Sequence, residues 1–130
     1  MVNDMILIVD DNEMNLKLLR IFLHKRGYPV DTARDGKEAR AKIHSLHPAL
    51  VLMDVQLPGI NGVDLTREIK ADPRFHSIVI IAVTSYAMSG DRERMLAAGF
   101  DAYISKPLNL HALEREICSL LAGRRSSSAG

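Results

Sequence analysis

Short apolar runs alternate with longer amphipathic segments along the whole chain, and the alternation predicts five strands, each followed by a helix. Residues 5–9 are apolar at every position, as a strand buried on both faces requires. From about 11 to 26, Met14, Leu18, Ile21 and Phe22 recur at helical spacing, and Gly27 supplies a stop. A weaker strand near 29–33 follows, in which Pro29 suits a sheet edge. The next helix, about 36 to 46, presents Ala39, Ile43 and Leu46 on one face. Residues 49–53 form another wholly apolar run, and Pro58, Gly59 and Gly62 mark a turn before a helix that ends near Ala71. The run 78–83 has the strongest β preference, and the helix after it, about 87 to 98, stops at Gly99. A short strand, 102–104, leads to Lys106 and Pro107. The last helix then lines up Leu110, Leu113, Ile117, Leu120 and Leu121 as a core-facing stripe.

Strict alternation of strand and helix implies an α/β fold, a five-stranded parallel sheet with helices on both faces, because each right-handed crossover lays its helix against the sheet. A chain of 130 residues can bury one adequate core, so one domain is expected over 1–122, with 123–130 as a flexible tail and no output domain. The contents of 47% hydrophobic and 25% charged residues suit a soluble globular protein. A net charge of +1, from 17 basic and 16 acidic residues, gives no broad field for nucleic acid or an acidic membrane. Cys118 is the only cysteine, which excludes an internal disulfide and a thiolate metal cluster and fits a cytoplasmic setting. Residues 1–4 lack a basic leader, and Asp10 and Asp11 interrupt the first apolar run, so neither a signal peptide nor a membrane span is expected.

In open α/β sheets the functional crevice lies beyond the carboxyl ends of the strands. Asp10, Asp11, Asp54, Thr84, Ser85, Ser105 and Lys106 follow the apolar runs directly. If the first, third, fourth and fifth strands are neighbours, three carboxylates, hydroxyl groups and one ammonium share an edge. Three such carboxylates repel one another and invite a hard cation, with Mg²⁺ the natural choice for oxygen ligands. A carboxylate beside that cation can attack phosphorus, while Lys106 and Thr84 neutralise and hydrogen-bond the phosphoryl oxygens.

The motifs Ile8-Val9-Asp10-Asp11-Asn12, Leu52-Met53-Asp54-Val55-Gln56-Leu57-Pro58-Gly59, Ala82-Val83-Thr84-Ser85 and Tyr103-Ile104-Ser105-Lys106-Pro107 resemble the receiver domains of two-component response regulators. The resemblance covers nearly the whole chain and is greatest to single-domain receivers of the cell-division (DivK) type. It implies the flavodoxin-like (βα)5 fold with sheet order 2-1-3-4-5. It implies Asp54 as phosphoacceptor, with Lys106 and Thr84 assisting, and Mg²⁺, replaceable by Mn²⁺, held by Asp11, Asp54, the backbone carbonyl of Gln56 and, mainly through water, Asp10. It further implies a switch formed by Thr84 and Tyr103, tuning of phosphoryl lifetime by Gln56 and Tyr86, and a cis bond between Lys106 and Pro107. The implied partners are a histidine kinase or phosphotransfer protein and a downstream protein target, with a phosphorylation-dependent dimer left open.

Taken singly, each residue has a plainer reading. Asp10 or Asp11 could cap the first helix, Thr84 or Ser85 the fourth, and Lys106 could pair with a surface acid. Convergence of the whole set at four strand ends favours function. The five histidines, His24, His44, His47, His76 and His111, read as solvated, and Cys118 as a small packed hydrophobe. Three other functions compete. A flavodoxin-like cofactor protein needs a Gly- and hydroxyl-rich phosphate cradle where Asp10-Asp11-Asn12-Glu13 stands. An aspartyl phosphatase needs an acid two residues beyond its nucleophile, where Gln56 stands. A receiver-like scaffold that works without phosphorylation would not need the complete set of site residues found here.

Overall fold

The computed structural model describes residues 4–56, 59–84 and 91–129, the side chains at 91, 92 and 124–129 excepted. Strands β1 (Ile6–Val9), β2 (Val30–Ala33), β3 (Leu50–Asp54), β4 (Val79–Thr84) and β5 (Ala102–Ser105) alternate with helices α1 (Glu13–Lys25), α2 (Gly36–Leu46), α3 (Gly62–Ala71), α4 (Asp91–Ala98) and α5 (Leu110–Ala129). All pairings are parallel, in the order β2-β1-β3-β4-β5. The expected fold is therefore observed. The start expected for α4 at 87 lies outside the described residues.

The period of two in the strands separates two cores. Leu7, Val9, Val51, Met53, Ile80 and Ala82 face α2, α3 and α4, where they meet Ala39, Ile43, Leu65, Ile69 and Ala98. Ile6, Ile8, Leu50, Leu52, Val79 and Ile81 face α1 and α5, where Leu16, Leu19, Leu23, Leu113, Ile117 and Leu121 pack. Each fully buried aliphatic side chain contributes about 1.5–3 kcal/mol, so the central strands carry much of the stability. The outer edge of β2 is guarded: Asp31 accepts from the Thr32 N–H at 2.8 Å, and Lys42 donates to the Thr32 carbonyl at 2.5 Å.

Of the apolar residues expected to mark helix α1, Phe22 packs partly buried against the core, but the others do not. Leu16, Leu19 and Leu23 are buried, whereas Met14, Leu18 and Ile21 are 74%, 55% and 44% exposed. The helix carries two overlapping apolar stripes, and periodicity alone does not say which one meets the sheet. Its cap is Asn12, whose side chain accepts from the Asn15 N–H at 3.1 Å, so neither Asp10 nor Asp11 caps it. Gly27 and Gly99 adopt φ of +92° and +112° after α1 and α4, as their positions in the sequence suggested.

At the other end, α5 runs on through the segment expected to be a tail, as far as Ala129. Ser and Arg are acceptable helix formers, and a single Gly123 costs about 1 kcal/mol relative to Ala without stopping an established helix. Cys118 is exposed rather than packed, and its Sγ lies 3.3 Å from the Tyr28 hydroxyl. The five histidines are exposed as expected, although His44 and His47 lie edge-on or tilted against the buried Phe75, with ring centroids 4.7 and 4.9 Å away.

Candidate functional site

Parallel pairing places the ends of β1, β3, β4 and β5 along one edge. In register, Val9 lies beside Met53, Asp54 beside Val83, and Thr84 beside Ser105. Asp10 follows β1 directly, Asp54 and Thr84 close β3 and β4, and Lys106 follows β5. The sheet thereby collects the predicted residues on a rigid frame. Asp10, Asp54 and Thr84 are buried at 4%, 4% and 3% exposure, while Asp11 is exposed.

The Asp54 carboxylate accepts from the Gln56 N–H at 2.9 Å through Oδ1 and from the Lys106 ammonium at 3.0 Å through Oδ2. The same ammonium lies 3.5 Å from Asp10 Oδ2. Asp10 also accepts from the Asn12 N–H at 2.9 Å and from the Asn15 amide at 3.3 Å. Lys106 is anchored from behind, because its N–H donates to the Thr84 carbonyl at 2.8 Å, and its bond to Pro107 is cis. Both acids it meets among the described residues are buried ones at the site rather than surface acids, against the plainer reading of that residue.

Burial pushes the Asp54 carboxyl above the usual carboxylate range, Asp10 adds to this, and the bonds from Gln56 and Lys106 oppose it. For Lys106, burial acts to lower the ammonium, but its hydrogen bond to Asp54 and the charges of Asp10 and Asp54 outweigh it, so the net direction is upward. Asp54 is thus a reluctant anion beside a firmly charged lysine.

Oxygen atoms of Asp10, Asp11 and Asp54 all lie within 4.8 Å of one another. Three carboxylates facing one ammonium leave an excess of negative charge in the crevice, and the donors are all hard oxygens. The set therefore fits a hard divalent cation such as Mg²⁺. Gly62, the first residue of α3, makes room behind the acid: a Cβ there would stand 2.8 Å from the Asp54 carbonyl oxygen and 3.1 Å from Val55 Cα. Tyr103 is half-buried, packed beside the core under α2, α3 and α4. Ser85 and Tyr86, together with Leu57 and Pro58 of the second motif, lie outside the described residues. Asn15 was not anticipated as part of the site. Its place five residues after Asp10, on the first turn of a helix, is the signal that could have found it.

The family description "Response regulator receiver domain" matches residues 6–118. The chain belongs to the response-regulator receiver family. Receiver domains of this family accept a phosphoryl group on an aspartate from histidine kinases and act as signalling switches in two-component systems. Among relatives, the polar-differentiation response regulator DivK of Brucella ovis is 42% identical over 116 residues, covering 89% of this chain and 94% of that protein. A CheY-like receiver domain from Methanospirillum hungatei JF-1 superposes with a TM-score of 0.89 at 32% identity, covering 97% of this chain and 99% of that one. The receiver domain of a sensor histidine kinase from Pseudomonas aeruginosa PAO1 superposes with a TM-score of 0.83 at 34% identity, covering 93% and 99%. That structure holds a magnesium ion coordinated in its active-site cleft. Among the described residues no helix is long and apolar enough to cross a membrane.

Proposed function

We propose that Asp54 is the residue of this receiver that accepts the phosphoryl group. The observation that carries the proposal is the position of its carboxylate at the end of β3, fixed by Gln56 and Lys106 and within 4.8 Å of the carboxylates of Asp10 and Asp11. An Asp54 oxygen forms the new bond to phosphorus as the bond to the donor breaks. With a phosphohistidine donor the leaving imidazole nitrogen keeps the bonding pair and takes up a proton from solvent. Lys106 then pairs with a phosphoryl oxygen instead of the free carboxylate, and the Thr84 hydroxyl donates to another, which favours the state of the switch that holds phosphate.

Asp11, Asp54 and the Gln56 carbonyl would hold Mg²⁺, with Asp10 acting through water and Mn²⁺ as a substitute. When bound, the ion neutralises the charge that builds up on the phosphoryl oxygens. The partners are a histidine kinase or phosphotransfer protein of a cytoplasmic relay, with output through a protein target that reads the movement of Thr84 and Tyr103. Gln56 and Tyr86 set how readily water removes the phosphoryl group, a reaction the domain assists itself.

Intact-mass spectrometry after incubation with acetyl phosphate tests the proposal. A gain of one phosphoryl group that needs Mg²⁺ and disappears in Asp54→Asn is expected. Unchanged labelling in Asp54→Asn would reject Asp54 as the acceptor.

A further inference from the structure

We infer that Asn15 is a positioning residue for the acidic site, acting through Asp10; the inference rests on the reading above, in which Asp11, Asp54 and the Gln56 carbonyl hold a divalent cation and Asp10 acts on it through water. Asp10 is buried, and its two carboxylate oxygens are served by different elements. Oδ1 accepts from the Asn12 N–H at 2.9 Å, and Oδ2 accepts from the Asn15 amide at 3.3 Å while lying 3.5 Å from Lys106. Lys106 is closer to Asp54, at 3.0 Å, so it is shared between two acids. The Asn15 amide is the uncharged donor that partly satisfies Asp10 Oδ2 and leaves the ammonium free to favour Asp54.

The backbone fixes Asn15 in place. Its own N–H bonds to the Asn12 side chain that caps α1, so the residue that starts the helix and the residue that steadies the carboxylate are coupled through one turn. Asn15 borders an open surface groove that Leu18, Leu19, Lys106, Pro107, Leu108 and Leu110 also line. The acceptor, Asp10, is buried, and leaving a buried carboxylate oxygen short of a donor costs free energy. Without the amide, Asp10 Oδ2 draws Lys106 toward itself, and the carboxylate is free to rotate away from the cation. Groups that orient metal-binding residues typically change metal affinity about 10- to 100-fold when removed.

Calorimetric titration of the full chain with MgCl2, with no phosphodonor present, tests this in a double-mutant cycle. Asn15→Leu, which keeps the volume of the side chain and deletes the donor, is expected to weaken Mg²⁺ binding about tenfold. The same change in an Asp10→Asn background is expected to alter binding less than about twofold, because the carboxylate through which Asn15 acts has gone. Because Asp10 loses a donor, Asn15→Leu is also expected to melt lower than wild type in the metal-free state; the change in Mg²⁺ affinity that vanishes with Asp10→Asn is the readout a merely structural role would not give. If Asn15→Leu does not fold, Asn15→Ala in the same cycle reads the same quantity. Wild-type affinity in Asn15→Leu, or a tenfold loss that persists in Asp10→Asn, overturns the inference. Absence of Mg²⁺ binding by the wild type would instead overturn the metal reading beneath it.

Discussion

Replacing Lys106 with Met keeps the stem and removes the charge that stands between two buried acids. Its ammonium lies 3.0 Å from Asp54 and 3.5 Å from Asp10, with side-chain exposures of 22% for Lys106, 5% for Asp54 and 6% for Asp10. Removing one partner from a buried ion pair costs about 3 kcal/mol, because the remaining charge is left unpaired. At a urea slope of about 2 kcal/mol/M this lowers the unfolding midpoint by roughly 1.5 M. The loss depends on pH in a defined direction. The Asp54 carboxyl already titrates above its ordinary range in the folded protein, and Lys106 opposes that rise. Without Lys106 the folded-state value climbs further, while the unfolded value does not change. Stability is then retained below the unfolded carboxylate range, about pH 4, and is lost as pH rises through the folded value. Urea unfolding of Lys106→Met and wild type should therefore differ more at pH 8 than at pH 5, and Mg²⁺ should narrow the gap by replacing the missing positive charge. A loss below about 0.5 kcal/mol, typical of an exposed pair, or one equal at both pH values, would refute this reasoning.

Other expectations concern the frame around the site. Leu16→Ala should cost about 2–5 kcal/mol by urea unfolding, and Met14→Gln should stay within about 0.5 kcal/mol; the reverse ranking would mean that α1 buries its other stripe. Thr66 is fully buried and its hydroxyl has no partner among the described residues, so Thr66→Val should stabilise the domain by about 1 kcal/mol, which thermal melting would detect. Gly62→Ala should lose about 1–3 kcal/mol and slow phosphorylation by acetyl phosphate, because its methyl group would meet the Asp54 backbone. Stabilisation of that variant, as for Ala at an open helix position, would show that α3 does not press on the site.

The strands were legible because strands of a parallel sheet covered on both faces are apolar at nearly every position, and only β2, at the edge and half-buried, read weakly. The acids, Thr84 and Lys106 were legible because strand ends in such a sheet converge wherever the intervening helices lie. Features decided by competition between similar alternatives were not. Leu16, Leu19 and Leu23 compete with Met14, Leu18 and Ile21 for one sheet face, and the first set is the one that joins the core shared with α5. Asn12 competes with Asp10 and Asp11 for the cap, and the site claims Asp10. The contact from Asn15 to Asp10 depends on where the first helical turn begins, a boundary that periodicity places only to within a few residues. The extension of α5 past Gly123 likewise rests on a small difference between coil and helix in a run of serines.

Borohydride trapping followed by peptide sequencing tests the central claim most directly. Reduction of an aspartyl phosphate converts that residue to homoserine and so marks the acceptor covalently. After incubation with acetyl phosphate and Mg²⁺, homoserine at position 54, and nowhere else, is the predicted result. Homoserine at position 10 or 11, or none at 54 when the intact mass shows phosphorylation, would contradict the assignment of Asp54.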